Sequence, residues 1–161
     1  MAVLGLTSMV ILAGCSMAPL MGGDQQGPVT VGLINDGNST YSFEVWVAEG
    51  PLDGIQVQKG NGETVTVPAG PGLTKFNYSG KTPRTTSVQL PESARDIKQI
   101  SISPGEVDEF TIEDPPSDPV VVVTVRNDTR VIALVTAACS GDFNYLEVTT
   151  LDGRATAGYN C

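Results

Sequence analysis

The fold of this chain is decided by Val120-Val121-Val122-Val123-Thr124-Val125 and Val131-Ile132-Ala133-Leu134-Val135, two apolar runs that are rich in β-branched residues. Neither run alternates with polar residues as a half-buried strand does, so both predict strands that are buried on both faces near the centre of the fold. Asn127-Asp128 lies between them and is typical turn chemistry. The two central strands are therefore predicted to pair as a hairpin.

Shorter strands are predicted on either side of this hairpin, because further runs of β-branched residues are separated by Gly, Pro, Asn and Asp. Residues 41–48 alternate apolar and polar side chains, and residues 58–63 and Asp152-Gly153 are predicted hairpin tips. The best helical candidate, residues 91–96, is long enough for one turn only. The sequence thus predicts an all-β domain, an antiparallel two-sheet sandwich of immunoglobulin-like or similar type.

Composition indicates a single acidic domain and argues against several function classes. The 161 residues include 18 acids, 9 bases and no histidine, and the net charge is −9. This charge repels phosphate backbones, so we predict no nucleic-acid partner. The lack of histidine removes the commonest general base and the usual ligand of zinc, copper and haem sites, so we predict no metal and no cofactor.

The beginning of the chain has the features of a secretory leader. Residues 1–14 are almost all apolar or small, and they are too few for a membrane-spanning helix, which needs about 20 apolar residues. They end in Leu12-Ala13-Gly14 and are followed by Cys15. No Lys or Arg precedes Cys15, although signal peptides normally carry one, so we expect the translation start to lie upstream of Met1.

The four residues from Leu12 to Cys15 resemble the lipobox of prokaryotic lipoproteins. The resemblance implies cleavage after Gly14, a thioether-linked lipid on Cys15, and anchoring on the extracytoplasmic face of the cell membrane. Residues 15–27 are rich in small, Gly and polar residues, and we expect them to form a flexible tether to a domain over residues 28–161. Together with the acidity of the chain, the leader is similar to secreted lipoproteins of halophilic archaea, in which carboxylates keep proteins soluble in high salt.

Cys139 and Cys161 form an even pair once Cys15 is assigned to the lipid, and an oxidising extracytoplasmic setting favours a disulfide between them. A type I′ turn at Asp152-Gly153 pairs residues whose numbers sum to about 305, and a turn at residues 140–142 would set Cys139 opposite Phe143. Such regular pairing leaves the cysteines about 10 Å apart, which is more than a disulfide tolerates. We therefore predict that residues 159–161 leave the ladder to form the bond.

Four further residues are candidates for surface roles. Trp46 lies on the polar face of its predicted strand, so it is either a surface contact residue or is covered by a loop such as residues 50–54. A lone tryptophan is more often packed than functional. Asn38, Asn77 and Asn127 open Asn-x-Ser/Thr sequons and are candidate glycosylation sites.

Carboxylates are the only plentiful reactive groups in the chain. Residues 106–109 and 113–118 could in principle bind calcium or supply an acid and base, but their spacing matches no ligand motif, and solvated loops are the simpler interpretation. We predict a non-catalytic β-sandwich that is anchored to the membrane through the lipid on Cys15. It would act as a binding or structural module of the cell envelope, with an unknown envelope protein or glycan as partner. The alternative is a carboxylate-dependent enzyme acting on envelope polysaccharide, which needs two convergent acids in a cleft.

Overall fold

The computed structural model describes residues 26–161, so the predicted leader, Cys15 and most of the predicted tether lie outside the described residues. No helix within the described part of the chain is long and apolar enough to span a membrane. The described residues form twelve strands. In chain order these are β1 (Val29–Asn35), β2 (Tyr41–Glu49), β3 (Ile55–Lys59), β4 (Thr64–Val67), β5 (Gly72–Asn77), β6 (Thr85–Gln89), β7 (Arg95–Ile102), β8 (Val107–Ile112), β9 (Pro119–Asn127), β10 (Arg130–Ala138), β11 (Tyr145–Leu151) and β12 (Arg154–Asn160).

Within residues 26–161 these strands form three sheets. The outer sheet has the order β12-β11-β1-β8, the central sheet has the order β5-β10-β9-β2-β7, and the small sheet has the order β4-β3-β6. The pairs are antiparallel except for β1 and β11, which run parallel. The predicted all-β sandwich is confirmed, and the small sheet adds a third layer to it.

The central sheet is covered on both faces. One core lies between the central and outer sheets and includes Phe43, Phe143 and Leu146. A second core lies between the central sheet and the small sheet and includes Ile55 and Leu134. The strands β9 and β10 contribute to both cores, which is why their sequences lack polar alternation. The prediction that these two strands are central is confirmed.

The three predicted hairpin turns are confirmed by the backbone. Asp128 has a φ of 51° in the two-residue connection between β9 and β10. Asp152 and Gly153 have φ of 48° and 74°, and two successive positive φ angles are what a type I′ turn requires. The tip between β3 and β4 is closed by the backbone N–H of Lys59, which donates to the carbonyl of Glu63 at 2.8 Å.

The connection between β10 and β11 differs from the prediction. The two strands do not pair, so the prediction that Cys139 lies opposite Phe143 is wrong. After β10 the chain crosses from the central sheet to the outer sheet, where β11 lies between β12 and β1. The prediction assumed that consecutive strands pair, whereas here the chain changes layer between them.

The end of the chain also differs from the prediction, although the disulfide is present. The register of β11 and β12 is the predicted one, with Tyr145 opposite Asn160, and β12 stays in the ladder through Asn160. Residues 159–161 therefore do not have to leave the sheet. Because β12, the edge strand of the outer sheet, contacts β5 and β10 of the central sheet directly, the Cα atoms of Cys139 and Cys161 are 5.7 Å apart, and the bond forms.

Asn35 joins four segments at the far end of β1 and is fully buried. Its side-chain nitrogen donates to the carbonyls of Ile102 at 2.7 Å and Ser39 at 2.9 Å. Its side-chain oxygen accepts from the N–H of Gly37 at 3.0 Å and from the hydroxyl of Thr150 at 3.1 Å. All the hydrogen-bonding capacity of this buried amide is thus used, which fixes the loop between β1 and β2 to both large sheets.

Candidate functional site

The disulfide ties two layers together near one end of the sandwich. Cys139 follows β10 of the central sheet, is 5 % exposed and belongs to the larger core. Cys161 follows β12 of the outer sheet and is exposed. The sequence separation of 22 encloses the whole β11–β12 hairpin. The bond therefore holds the last hairpin of the chain against the central sheet.

Trp46 is half-buried on the face of the central sheet that also carries the small sheet. Its neighbours in the register are Asp96 on β7 and Val122 on β9. Near it, Arg126 donates to the carboxylate of Glu44 at 2.9 Å. Trp46 thus lies between Val122, which belongs to the core beneath the small sheet, and a polar edge at Asp96.

Large apolar side chains that are exposed in the described part of the chain lie elsewhere. They are Val107, Leu151 and Tyr159, all on strands of the outer sheet. Trp46 therefore does not belong to an exposed aromatic patch.

The predicted carboxylate segments are held by local contacts. The carboxylate of Glu106 accepts from the backbone N–H of Ser103 at 3.0 Å, and this hydrogen bond lowers the pKa of Glu106. Asp108 pairs with Lys98 on the neighbouring β7, with 2.6 Å between the ammonium nitrogen and the carboxylate oxygen. No group of three or more His, Cys, Asp or Glu side chains converges among residues 26–161.

Two other carboxylates come closer to the pair that an enzyme would need. Glu109 on β8 and Glu147 on β11 flank Gly32 of β1, each one strand away from it on the outer face. The hydroxyl of Tyr145 donates to Glu147 at 3.1 Å. Burial raises the pKa of Tyr145, and its hydrogen bond to Glu147 and the charges of both glutamates add to the rise. No sequence pattern relates Glu147 to Glu109, because the two residues are 38 positions apart.

This glutamate pair lies on an open sheet face. Glu109 is exposed and Glu147 is half-buried. A general acid in glycoside hydrolysis needs burial or a like charge close by to keep its proton near neutral pH. Two carboxylates separated by two strand spacings, about 10 Å at the backbone, on a solvated surface do not meet that need.

A better-formed concavity lies at the end of the sandwich opposite the disulfide. It is a cavity of about 290 Å³, which we name the arginine pocket. Its walls come from the loop after β5, the residue before β6, the β9–β10 turn and the β11–β12 turn. The lining residues are Ser79, Arg84, Asn127, Asp128, Thr129, Arg130, Ile132 and Gly153.

Two backbone features shape the arginine pocket. A β-bulge between Val131 and Ala133 interrupts the pairing of β10 with β9 and leaves Arg130 opposite Asn127 at the mouth of the hairpin. On the other wall, a Cβ on Gly153 would lie 3.1 Å from the hydroxyl of Ser79. Together with its positive φ, this close approach favours glycine at position 153, so that no side chain fills the space beside Ser79.

The lining of the arginine pocket contains more positive than negative side chains, whereas the chain as a whole is acidic. Arg84 is exposed and Arg130 is half-buried. Neither has an ion pair in the described part of the chain, whereas Lys59, Lys98 and Arg126 do.

Within the pocket one arginine also has an unmet hydrogen bond. The Nε atom of Arg130 is buried and has no hydrogen-bond partner among residues 26–161. Asp128 is the acidic residue of the lining, and it is exposed. No motif marks Arg84 or Arg130, and the clue in the sequence was two arginines close to turns in an acidic chain.

The three sequons have different surroundings. Asn38 is exposed in the loop between β1 and β2. Asn77 uses its amide to join β5 to β12, since its oxygen accepts from the N–H of Ala155 at 2.8 Å and its nitrogen donates to the carbonyl of the same residue at 3.3 Å. Asn127 lines the arginine pocket. A glycan on Asn77 would occupy the nitrogen that binds Ala155, so Asn38 is the most open of the three.

Comparisons with protein-family models, with curated proteins and with solved structures gave no match to this chain. A functional hypothesis therefore has to come from the residues and geometry described above.

Proposed function

We propose that this chain is a lipid-anchored extracytoplasmic lipoprotein whose β-sandwich is a non-catalytic binding module of the cell envelope. The observation that carries the proposal is the disulfide between Cys139 and Cys161. Structural disulfides persist in oxidising compartments and are rare in the reducing cytosol. Because Cys139 is part of the packed core, this bond is a structural one, which supports a location outside the cytoplasm.

The direction in which the chain enters the domain supports a binding role. Gln26 is held at the disulfide end, where its side-chain nitrogen donates to the carbonyl of Phe143 at 2.6 Å and its oxygen accepts from the N–H of Phe143 at 3.2 Å. A lipid on Cys15 would thus attach the domain to the membrane from its disulfide end. The arginine pocket lies at the opposite end of β10, about 25–30 Å away for nine residues of strand. The pocket would face away from the membrane.

Catalysis is the less favoured alternative. A carboxylate enzyme acting on envelope polysaccharide would need two acids close together, and Glu109 and Glu147 flank a common position on β1. Their exposure on a flat sheet face gives neither of them the environment of a general acid. A binding module needs no such group.

The anchor is tested by metabolic labelling with a lipid precursor in the native host. Full-length protein should take up the label and fractionate with membranes. The variant Cys15→Ser should lose both properties, while Cys161→Ser, a matched cysteine substitution outside the leader, should keep both. Absence of label in the wild-type protein, or label that persists in Cys15→Ser, would remove the proposed anchor.

The binding role is tested by photo-crosslinking the anchored protein in its own membrane. A crosslinking residue is placed at Thr129, which is exposed beside the arginine pocket, and at Asp142, which is exposed at the disulfide end. We expect a discrete envelope protein or glycan adduct from position 129 and none of the same size from position 142. Identical adducts from both positions would show non-specific contact and contradict a binding site at the far end.

A further inference from the structure

We infer that the arginine pocket is a binding site for a tetrahedral oxyanion, that is, a sulfate or phosphate group. The inference rests on the proposed binding role only for its biological setting, because it adds the chemical class of the ligand. It is argued from the charges, the hydrogen-bond donors and the walls of the pocket.

Arg130 has an unmet hydrogen bond in the pocket wall. An arginine carries five N–H donors and no acceptor, and its charge is permanent at any pH the protein meets. The Nε–H of Arg130 is buried without a partner in the described part of the chain. A buried donor on a charged group is unfavourable unless an acceptor completes it. Because the Nε atom is closed to solvent, an anion in the pocket would meet the other N–H groups of this guanidinium and would reach Nε–H only if the Arg130 side chain shifts.

The sign of the charge in the pocket is opposite to that of the whole chain. The chain as a whole carries −9, yet the pocket holds the guanidinium groups of Arg84 and Arg130 against the single carboxylate of Asp128. Neither arginine is neutralised by an ion pair within residues 26–161. In a chain with twice as many acids as bases, two unpaired arginines that share one cavity favour an anionic ligand.

The positions of the donor-bearing residues around the pocket indicate the shape of the ligand. Residues that carry hydrogen-bond donors line the pocket on several sides: Arg84 before β6, Arg130 on β10, Ser79 after β5 and Asn127 on β9. A planar carboxylate presents two oxygens and is satisfied by one guanidinium fork. Donors on several sides suit an anion whose three or four oxygens point in different directions. A cavity of about 290 Å³ admits a sulfate or phosphate and part of the group that carries it.

Asp128 offers a substitution that should strengthen anion binding instead of weakening it. It lines the pocket and its charge opposes that of an anion, so its removal should strengthen binding. Its φ of 51° is a conformation that asparagine also tolerates, so Asp128→Asn should keep the turn. A variant that binds more tightly cannot be explained by misfolding.

The experiment is a calorimetric titration of the purified full chain with sodium sulfate and with sodium phosphate, at constant ionic strength maintained with sodium chloride. Saturable binding is expected. Arg130→Gln and Arg84→Gln should each raise the Kd about tenfold or more, as for loss of a charge-assisted hydrogen bond. Arg95→Gln, a matched control remote from the pocket, should leave the Kd unchanged. Asp128→Asn should lower the Kd about two- to fivefold.

Two further titrations define the ligand. Sodium acetate should bind at least about tenfold more weakly than sulfate if the site reads a tetrahedral group. Glucose 6-sulfate tests whether the group is carried on a sugar: tighter binding than inorganic sulfate supports an oxyanion on an envelope glycan, and equal binding supports the free anion.

The inference is overturned by any of three results. These are no saturable binding of sulfate or phosphate, the same Kd for Arg130→Gln as for the wild-type chain, or acetate binding as tightly as sulfate. None of them bears on the lipid label or on the crosslinks from position 129, so failure of this site and failure of the proposed function are distinguishable.

Discussion

Reduction of the disulfide should lower the free energy of unfolding by an amount that depends on the length of the loop that the bond closes. The bond links residues that are 22 positions apart, and closing a loop of that length lowers the entropy of the unfolded chain by about 3 kcal/mol in the chain-entropy estimate. Because Cys161 is exposed, breaking the bond removes little buried surface. The expected loss is therefore about 3 kcal/mol, a large share of the roughly 5–15 kcal/mol that holds a domain folded.

The assay is equilibrium unfolding in urea, followed by tryptophan fluorescence, with and without dithiothreitol. With a slope of about 1–3 kcal/mol per molar urea, a loss of 3 kcal/mol moves the midpoint down by roughly 1–3 M. Cys161→Ala is the matched control. It should unfold at the midpoint of the reduced wild-type chain and should not respond to dithiothreitol.

Two results would refute this reasoning. A wild-type midpoint that does not move on reduction would mean that the last hairpin is not held to the central sheet by the bond. A Cys161→Ala midpoint that moves as far as that of the wild type would mean that dithiothreitol acts on something other than the disulfide.

Three further substitutions test other parts of the structure. Leu134→Ala should lower the free energy of unfolding in urea by about 3 kcal/mol, because Leu134 is fully buried beneath the small sheet. The control Val107→Ala, at a side chain that is 63 % exposed, should lower it by under about 0.5 kcal/mol. Equal losses for the two variants would contradict the packing of the small sheet over Leu134. Asn35→Ala should cost about 2–4 kcal/mol, since four hydrogen bonds, two of them buried and two part-buried, lose their partner, and a cost near zero would count against this network. Burial raises the pKa of Tyr78 from 10.0 to about 12, so the unfolded chain loses this proton first and stability falls between pH 10 and 12. Tyr78→Phe should show a smaller fall over that range, and parallel curves for the two proteins would be the contrary outcome.

The central hairpin could be predicted from the sequence because burial on both faces leaves a direct trace there. Residues 120–125 and 131–135 contain no polar alternation, and the structure buries them between two other layers. The turns at Asp128 and Asp152-Gly153 were equally readable, since few residues tolerate positive φ. These features depend on neighbours in sequence, and periodicity and turn chemistry report such neighbours well.

The arrangement of the layers could not be predicted in the same way. A sequence pattern indicates that a strand is half-buried but not which sheet it joins, so the change of layer between β10 and β11 was missed. The small sheet illustrates the same limit, because β3 and β4 read simply as a further hairpin. Their cover over Leu134 depends on packing between strands that are distant in the chain.

The arginine pocket was missed for a related reason. Its residues lie between positions 79 and 153 and belong to three different connections and the strands beside them. No spacing relates Arg84 to Arg130 before the sheets are assembled. The buried donor on Arg130 lies next to a bulge in β10 that the sequence does not mark.

The central claim is that the mature protein begins at a lipidated Cys15 and carries one disulfide. An intact mass of the protein, extracted from its own membrane without reductant and treated with iodoacetamide, tests both parts together. We expect the mass of a chain that begins at Cys15 and carries a diacylglyceryl group, with no iodoacetamide adduct before reduction and two after it. A mass without lipid, or an adduct on Cys139 or Cys161 before reduction, would contradict the account.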